Sequence, residues 1–254
     1  MSWNPATYLT YADERTRPAL ELLARVPLDN PKLIADLGCG PGNSTGPLVA
    51  RWPNAEVEGI DSSPEMIEAA KKSGVRARWS LADVATWSPP DRYDLVFSNA
   101  TYQWIADHRS LLPRLMSFVK PGGVFAFQVP NNQNAPSHAL MRAVANEAAW
   151  SKKLANVRGV FVEGPQTYYD ILSPHGVSLD IWTTEFLHVL EGDDPVFNWV
   201  KATGLRPYVD ALDAGERETY VARYKARLGA AYPKRADGKT LLPFSRLFVV
   251  ARIP

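Results

Sequence analysis

Ile34-Ala35-Asp36-Leu37-Gly38-Cys39-Gly40-Pro41-Gly42-Asn43 ends an apolar run on a carboxylate and then places glycine at alternate positions. Glycine lacks the Cβ that holds a backbone away from a ligand, and it tolerates the positive φ of a tight strand-to-helix turn. The run reads as a strand followed by a nucleotide-binding turn. Its G-x-G-x-G spacing departs from the dinucleotide fingerprint, which wants its third glycine where Asn43 stands. That departure weakens a pyrophosphate reading.

Outward from this loop, Ala55–Asp61 reads as a second strand ending on an acid 25 residues beyond Asp36. βαβ nucleotide folds place a ribose-binding carboxylate near this separation. A third strand candidate, Ala77–Leu81, runs into Ala82-Asp83-Val84, where Asp83 is placed to accept from an adenine amino group and the Val84 N–H to meet a ring nitrogen. A fourth, Tyr93–Ser98, stops at Asn99, and a fifth, Gly123–Val129, follows the turn Lys120-Pro121-Gly122. A glycine loop without the pyrophosphate spacing, followed by a ribose acid and an adenine acid, points to S-adenosylmethionine. Helical segments with start signals lie between the strands, Ser63-Pro64-Glu65 before one and His108-Arg109-Ser110 before another. Alternation of this kind predicts an α/β fold with parallel strands in a doubly wound sheet whose ligands sit at the carboxyl ends of the strands.

The 254 residues, 46% of them hydrophobic, suit one large α/β domain over 1–254 with elaborations inside it. Two regions, 131–170 and 195–235, fall outside the alternation and are expected to act as cap and specificity elements. After the strand candidate Asp180–Leu190, the second of them carries a helix from about Ala214 to Tyr232, and a closing strand over Arg246–Ala251 completes the sheet. A net charge of +1, with 28 basic and 27 acidic residues, lacks the footprint of a nucleic-acid binder. The substrate expected is small. Cys39 is the single cysteine, so no internal disulfide or thiolate zinc cluster forms, and its place in the loop suggests packing. His108, His138, His175 and His188 show no metal-ligand spacing. With no leader-like start and no apolar run of membrane length, a cytoplasmic protein without membrane contact is expected, as a monomer or weak homo-oligomer.

With these residues in view the chain resembles the class I S-adenosylmethionine-dependent methyltransferases and, among them, the trans-aconitate 2-methyltransferase family. The narrower likeness rests on Trp3-Asn4-Pro5 with Tyr8 and Arg15-x-Arg17-Pro18, the loop Ala35–Thr45, Gly59-Ile60-Asp61-Ser62-Ser63-Pro64 and Gln103-Trp104. It continues in Tyr168–Ser173, Asp180-Ile181-Trp182 and Ala202-Thr203-Gly204-Leu205-Arg206-Pro207. The resemblance implies a Rossmann-like seven-stranded sheet, mostly parallel with its last strand antiparallel, plus helical cap insertions. It implies methyl transfer to one carboxylate of trans-aconitate, a small polycarboxylate, to give a monomethyl ester. On this reading Asp36, Gly38, Gly40, Asp61, Ser62, Asp83, Val84 and Asn99 bind the cofactor. Tyr8, Tyr11 and Arg15 lie on an N-terminal helix that closes over it, Tyr8 and Arg15 among the cofactor's contacts.

Gln103 and Trp104 are expected to border the transferring methyl, and Tyr168 to contact the acceptor. A carboxylate is already ionised at neutral pH, with an unperturbed pKa of ~4, so no catalytic general base is expected. Charge neutralisation for the non-reacting carboxylates calls for arginine, whose planar fork meets a carboxylate bidentately. Arg206, on a turn fixed by Gly204 and Pro207, is the first candidate and Arg246 the second. Other classes stay open at this point: a methyltransferase acting on nitrogen or carbon, a dehydrogenase, and a non-catalytic cofactor-binding protein. Asn99-Ala100-Thr101-Tyr102 lacks the Pro-Pro-aromatic run of nucleobase amino-methylating enzymes. Asn43 and the scattered histidines oppose the dehydrogenase.

Overall fold

A computed structural model describes residues 12–157, 159–201 and 203–254, with side chains in the first helix from residue 16 onward. The chain alternates through its first half except between β3 and β4, which no helix separates: α1 (Ala12–Ala24), β1 (Leu33–Leu37), α2 (Thr45–Arg51), β2 (Glu56–Asp61), α3 (Pro64–Lys71), β3 (Arg78–Leu81), β4 (Tyr93–Asn99), α4 (His108–Met116) and β5 (Val119–Pro130). Beyond it lie α5 (Pro136–Ala145), α6 (Ser151–Leu154), α7 (Pro165–Leu172), β6 (Ser178–Leu190), α8 (Pro195–Val200), α9 (Arg206–Asp210), α10 (Ala214–Ala231) and β7 (Thr240–Arg252). The closing strand begins six residues earlier than its apolar run suggested.

The seven strands form one sheet in the order β3-β2-β1-β4-β5-β7-β6. β1 pairs in parallel with both β2 and β4, so the winding reverses at β1. A crevice opens at such a reversal, beyond the carboxyl ends of the strands. β1 is buried from Ile34 to Leu37, the continuous apolar reading of a strand covered on both faces. β7 runs antiparallel to β5 and lies between β5 and β6, so the last strand in sequence is an interior strand. Lys120-Pro121-Gly122, expected as a turn before the fifth strand, is instead an irregularity within it. The pairing steps from Tyr93–Val119 to Leu95–Val124, and Gly122 takes a φ of +75°. A bulge places the extra residues outside the ladder without ending it.

Two compact units divide the chain. The first comprises residues up to Pro130, Phe161–Thr184 and Arg246–Pro254; the second comprises Asn131–Val160 and Glu185–Ser245. In the first, Tyr102, Phe125, Phe127 and Tyr168 are fully buried, with neighbouring ring centroids 5.3–6.2 Å apart. Such pairs add roughly 0.5–1.5 kcal/mol each beyond area burial. Trp182 of β6 stacks on Phe248 of β7 at 4.8 Å, and the Arg25 guanidinium lies 4.4 Å from the Trp182 ring. Glu21 accepts from the Trp182 indole and the Thr184 hydroxyl, which fixes α1 through both its acid and its base.

In the second unit α10 opens with a capping box. The Asp213 side chain accepts from the Glu216 N–H at 3.0 Å, and Glu216 answers from the Asp213 N–H at 3.2 Å. Tyr220 and Tyr224 of α10 donate to the carbonyls of Met141 and Ser137 on α5 at 2.8 and 2.7 Å. Both tyrosines are thus buried with their hydroxyls satisfied. No helix among the described residues is long and apolar enough to cross a membrane.

Candidate active site

A cavity of about 340 Å³ opens at the carboxyl ends of β1, β2, β3 and β4. Its walls include Gly38, Gly40, Asp61, Ser62, Asp83, Val84, Asn99 and Trp104, all named from the sequence. Met66, Ala100, Thr101 and Ile105 join them and were not anticipated. The signal for Met66 was local: Ser63 caps α3, and its hydroxyl accepts from the Met66 N–H, which sets that residue at the helix start. Ala100 carried no signal, because its left-handed φ of +55° is unusual for a residue with a side chain.

Hydrogen bonds from the neighbouring strand and acids hold the glycine loop. Gly38 and Cys39 donate to the Ile60 carbonyl at 2.7 and 3.0 Å, and Gly40 donates to Asp61 Oδ2 at 2.9 Å. Asp61 Oδ1 accepts from the Ser63 N–H at 2.9 Å, so one carboxylate ties the loop to the start of α3. An ionised carboxylate offers about four lone-pair sites, which leaves capacity toward the cavity. Burial raises the Asp61 carboxyl above its ordinary value, against the lowering effect of the N–H donors. No side chain or backbone lies within 4 Å of where a Cβ on Gly40 would stand, so that position faces open cavity.

The cavity wall formed by Asp83 and Val84 is held from outside the predicted site. Asp83 Oδ1 accepts from the Ala85 N–H at 2.8 Å. Arg114 of α4 donates to the carbonyls of Trp87, Val84 and Ala85 at 2.5, 2.7 and 2.9 Å. An arginine on an amphipathic helix gives no sequence sign of such a task.

Asp36 lies beneath the loop and outside the cavity wall. It is fully buried, and its Oδ2 accepts from the Ser44 and Thr45 hydroxyls at 2.8 and 2.7 Å, joining the end of β1 to the start of α2. Burial raises its carboxyl from 3.8 to about 6, opposed by those two hydroxyls. Between these values the folded protein holds a proton that the unfolded chain has released, so stability falls as pH rises through that window. Above pH 6 the whole penalty is present, roughly 3 kcal/mol. Asp36→Asn removes the ionisation, so its melting temperature relative to the unsubstituted protein should climb by several degrees between pH 4 and pH 7.5. Paired thermal melts at the two pH values read this directly, and a difference constant with pH would show that Asp36 does not titrate there.

Burial likewise drives the Cys39 thiol far above its ordinary value, so it stays protonated beside its contact with the Gly40 carbonyl. That is a packing role. Among the described residues no group of three or more His, Cys, Asp or Glu is placed to hold a metal ion.

The remaining expected residues fall in several settings. Tyr8 and Tyr11 lie outside the described residues, as does the side chain of Arg15. Gln103 is buried behind the wall, where its Nε2 donates to the Ala100 carbonyl at 2.6 Å. Tyr168 is fully buried, and its hydroxyl accepts from the Glu163 N–H and donates to His108 Nδ1 at 2.9 Å. The His108 ring passes the bond on to the Tyr102 carbonyl at 2.8 Å, which fixes its tautomer with the proton on Nε2. Arg246, also buried, donates from Nη1 to Gln128 Oε1 at 3.2 Å.

Arg206 belongs to the second unit and opens α9. Its Nε lies 3.3 Å from Asp210 Oδ2, and the side chain is 27% exposed. The turn before it packs tightly, since a Cβ on Gly204 would stand 3.1 Å from His138 Nε2. Burial lowers His138 to about 4, so it is neutral at working pH.

Residues 34–123 match the family model described as a methyltransferase domain. The chain is 49% identical over 255 residues to a trans-aconitate 2-methyltransferase of Methylobacterium radiotolerans, covering 98% of each protein. It is 47% identical to that of Azoarcus sp., again over 98% of both. In fold it is similar to the YcgJ protein from Bacillus subtilis, with a TM-score of 0.64 at 15% identity over 93% of this chain and 98% of that one. The seven-stranded sheet and glycine loop are those of Rossmann-like methyltransferases, and with close relatives matched over nearly its whole length the chain belongs to the trans-aconitate 2-methyltransferase family.

Proposed function

We propose that the protein binds S-adenosylmethionine in the cavity at the end of β1 and methylates one carboxylate of trans-aconitate, giving a monomethyl ester. The observation that carries this reading is the meeting of Gly38, Gly40, Asp61 and Asp83 around one cavity at the carboxyl ends of three strands. The residues suit the cofactor: an open approach over Gly40, a carboxylate with spare lone pairs at Asp61, and an acceptor at Asp83 beside the Val84 backbone. When bound, S-adenosylmethionine supplies a methyl group activated by its sulfonium. The chain's own task is alignment of the acceptor oxygen, a proximity effect able to remove roughly 7–11 kcal/mol of barrier in favourable cases. Trp104, on the cavity wall, would exclude water beside the transferring group. Incubation with methyl-labelled cofactor and a panel of polycarboxylic acids tests the reading. Base-labile label on trans-aconitate supports it, and a base-stable product overturns it.

Arg206 is the proposed clamp for a carboxylate that does not react. Truncating one partner of a desolvated charge pair costs about 2–5 kcal/mol, so Arg206→Ala should lower kcat/KM for the acceptor well over tenfold while cofactor affinity stays near normal. Arg206→Lys should recover only part, because an ammonium lacks the fork. The ion pair with Asp210 supplies the control. Asp210→Ala leaves activity near normal if Arg206 serves the acceptor, whereas wild-type kinetics in Arg206→Ala would remove the residue from the site.

A further inference from the structure

The end of β4 is connected to a buried arginine by two amides. Arg246 Nη1 donates to Gln128 Oε1 at 3.2 Å, and Gln128 Nε2 donates to Asn99 Oδ1 at 2.8 Å. Gln128 is completely buried on β5, directly across from Asn99 in the parallel pairing of β4 and β5. Its backbone carbonyl also accepts from the Ala100 N–H at 2.9 Å, so this one residue holds both the side chain and the turn that ends β4. Asn99 and Ala100 line the cavity.

The direction of this chain is fixed by chemistry. A guanidinium has donors and no acceptor, so the Gln128 amide must turn its oxygen to Arg246 and its NH2 away. That NH2 in turn demands the oxygen of Asn99, which leaves the Asn99 NH2 as the group available to the cavity. Resting on the reading of the cavity given above, we propose that Arg246 and Gln128 are positioning residues that fix Asn99 as an N–H donor for a carboxylate bound there. That carboxylate belongs either to the amino-acid end of the cofactor or to the acceptor, and both present the same acceptor oxygens to an amide. Arg246 acts through two residues and is not among those that line the cavity.

Gln128→Glu tests the polarity without removing volume. The new carboxylate keeps a partner for Arg246 but has no N–H for Asn99, whose amide then turns its NH2 inward and its oxygen to the cavity. A thermal melt near or above that of the unsubstituted protein confirms folding. If the carboxylate is the cofactor's, calorimetry should show S-adenosylhomocysteine weakened at least tenfold, with decarboxylated S-adenosylmethionine bound as by the unsubstituted protein. If it is the acceptor's, S-adenosylhomocysteine affinity holds and KM for trans-aconitate rises at least tenfold. Asn99→Asp, which keeps the acceptor for Gln128 and deletes the donor, should reproduce whichever loss is seen. Unchanged affinity and KM in both variants would overturn the proposal. Failure of the unsubstituted protein to bind S-adenosylhomocysteine would instead overturn the reading of the cavity.

Discussion

Asp61→Ala is expected to weaken S-adenosylmethionine binding at least a hundredfold. Hydrogen bonds to a charged group contribute about 1.5–3 kcal/mol each, and the proposed pair to adjacent ribose hydroxyls would be lost together. The same carboxylate accepts from Gly40 and Ser63, so its removal also releases the loop that forms the floor of the cavity. Asp61→Asn keeps an acceptor oxygen and loses the charge, so it should fall between the two. Isothermal calorimetry on both variants measures this. An unchanged dissociation constant in Asp61→Ala would reduce Asp61 to a turn residue.

Gly38→Ala should damage the fold as well as the site. Gly38 has a φ of +72°, and a Cβ there would stand 2.0 Å from Thr101 Oγ1 and 2.6 Å from Thr101 Cβ. Strained φ costs roughly 1–3 kcal/mol and forced overpacking about as much again. For a domain of this size each kcal/mol lowers Tm by about 2–4 °C, so a fall on the order of ten degrees is expected, together with loss of cofactor binding. Two other glycines separate the causes. Gly40→Ala, with φ of +55° and open space around its Cβ, should lose the ligand with a smaller drop in Tm. Gly74→Ala, at +77° and away from the cavity wall, should show the backbone cost alone and bind normally. Adding Thr101→Gly to Gly38→Ala should restore part of the Tm. If Gly38→Ala melts like Gly74→Ala, the contact with Thr101 is not a close one.

The loop and the acids were legible in the sequence because each is a demand that few residue types meet. Positive φ and close approach call for glycine, and a strand that ends on a carboxylate breaks its own apolar pattern. Thus Gly38, Gly40, Asp61, Asp83 and Asn99 could be placed on one wall before any coordinates. Residues that act at a distance left no such mark. Arg114 looks like any helical arginine, and only the fold brings its guanidinium to the carbonyls of Val84, Ala85 and Trp87. Gln128 did carry a trace, a lone amide inside the apolar run Val124–Val129, but its partners lie on other strands. Strand order was hidden for the same reason. Apolar periodicity gives β7 its two buried faces and says nothing of which neighbours cover its edges.

The interior place of β7 has a consequence for how the chain is made. While the ribosome is still adding residues, β1 to β5 are already available to pair, and the outer edge of β5 stands bare beside Phe125 and Phe127. An uncovered edge next to buried aromatics is a template for joining other chains. β6 leaves the ribosome earlier than β7, yet its place in the sheet is against β7, so it must wait. Arrival of Thr240–Arg252 therefore closes two gaps at once, covering the edge of β5 and giving β6 its neighbour.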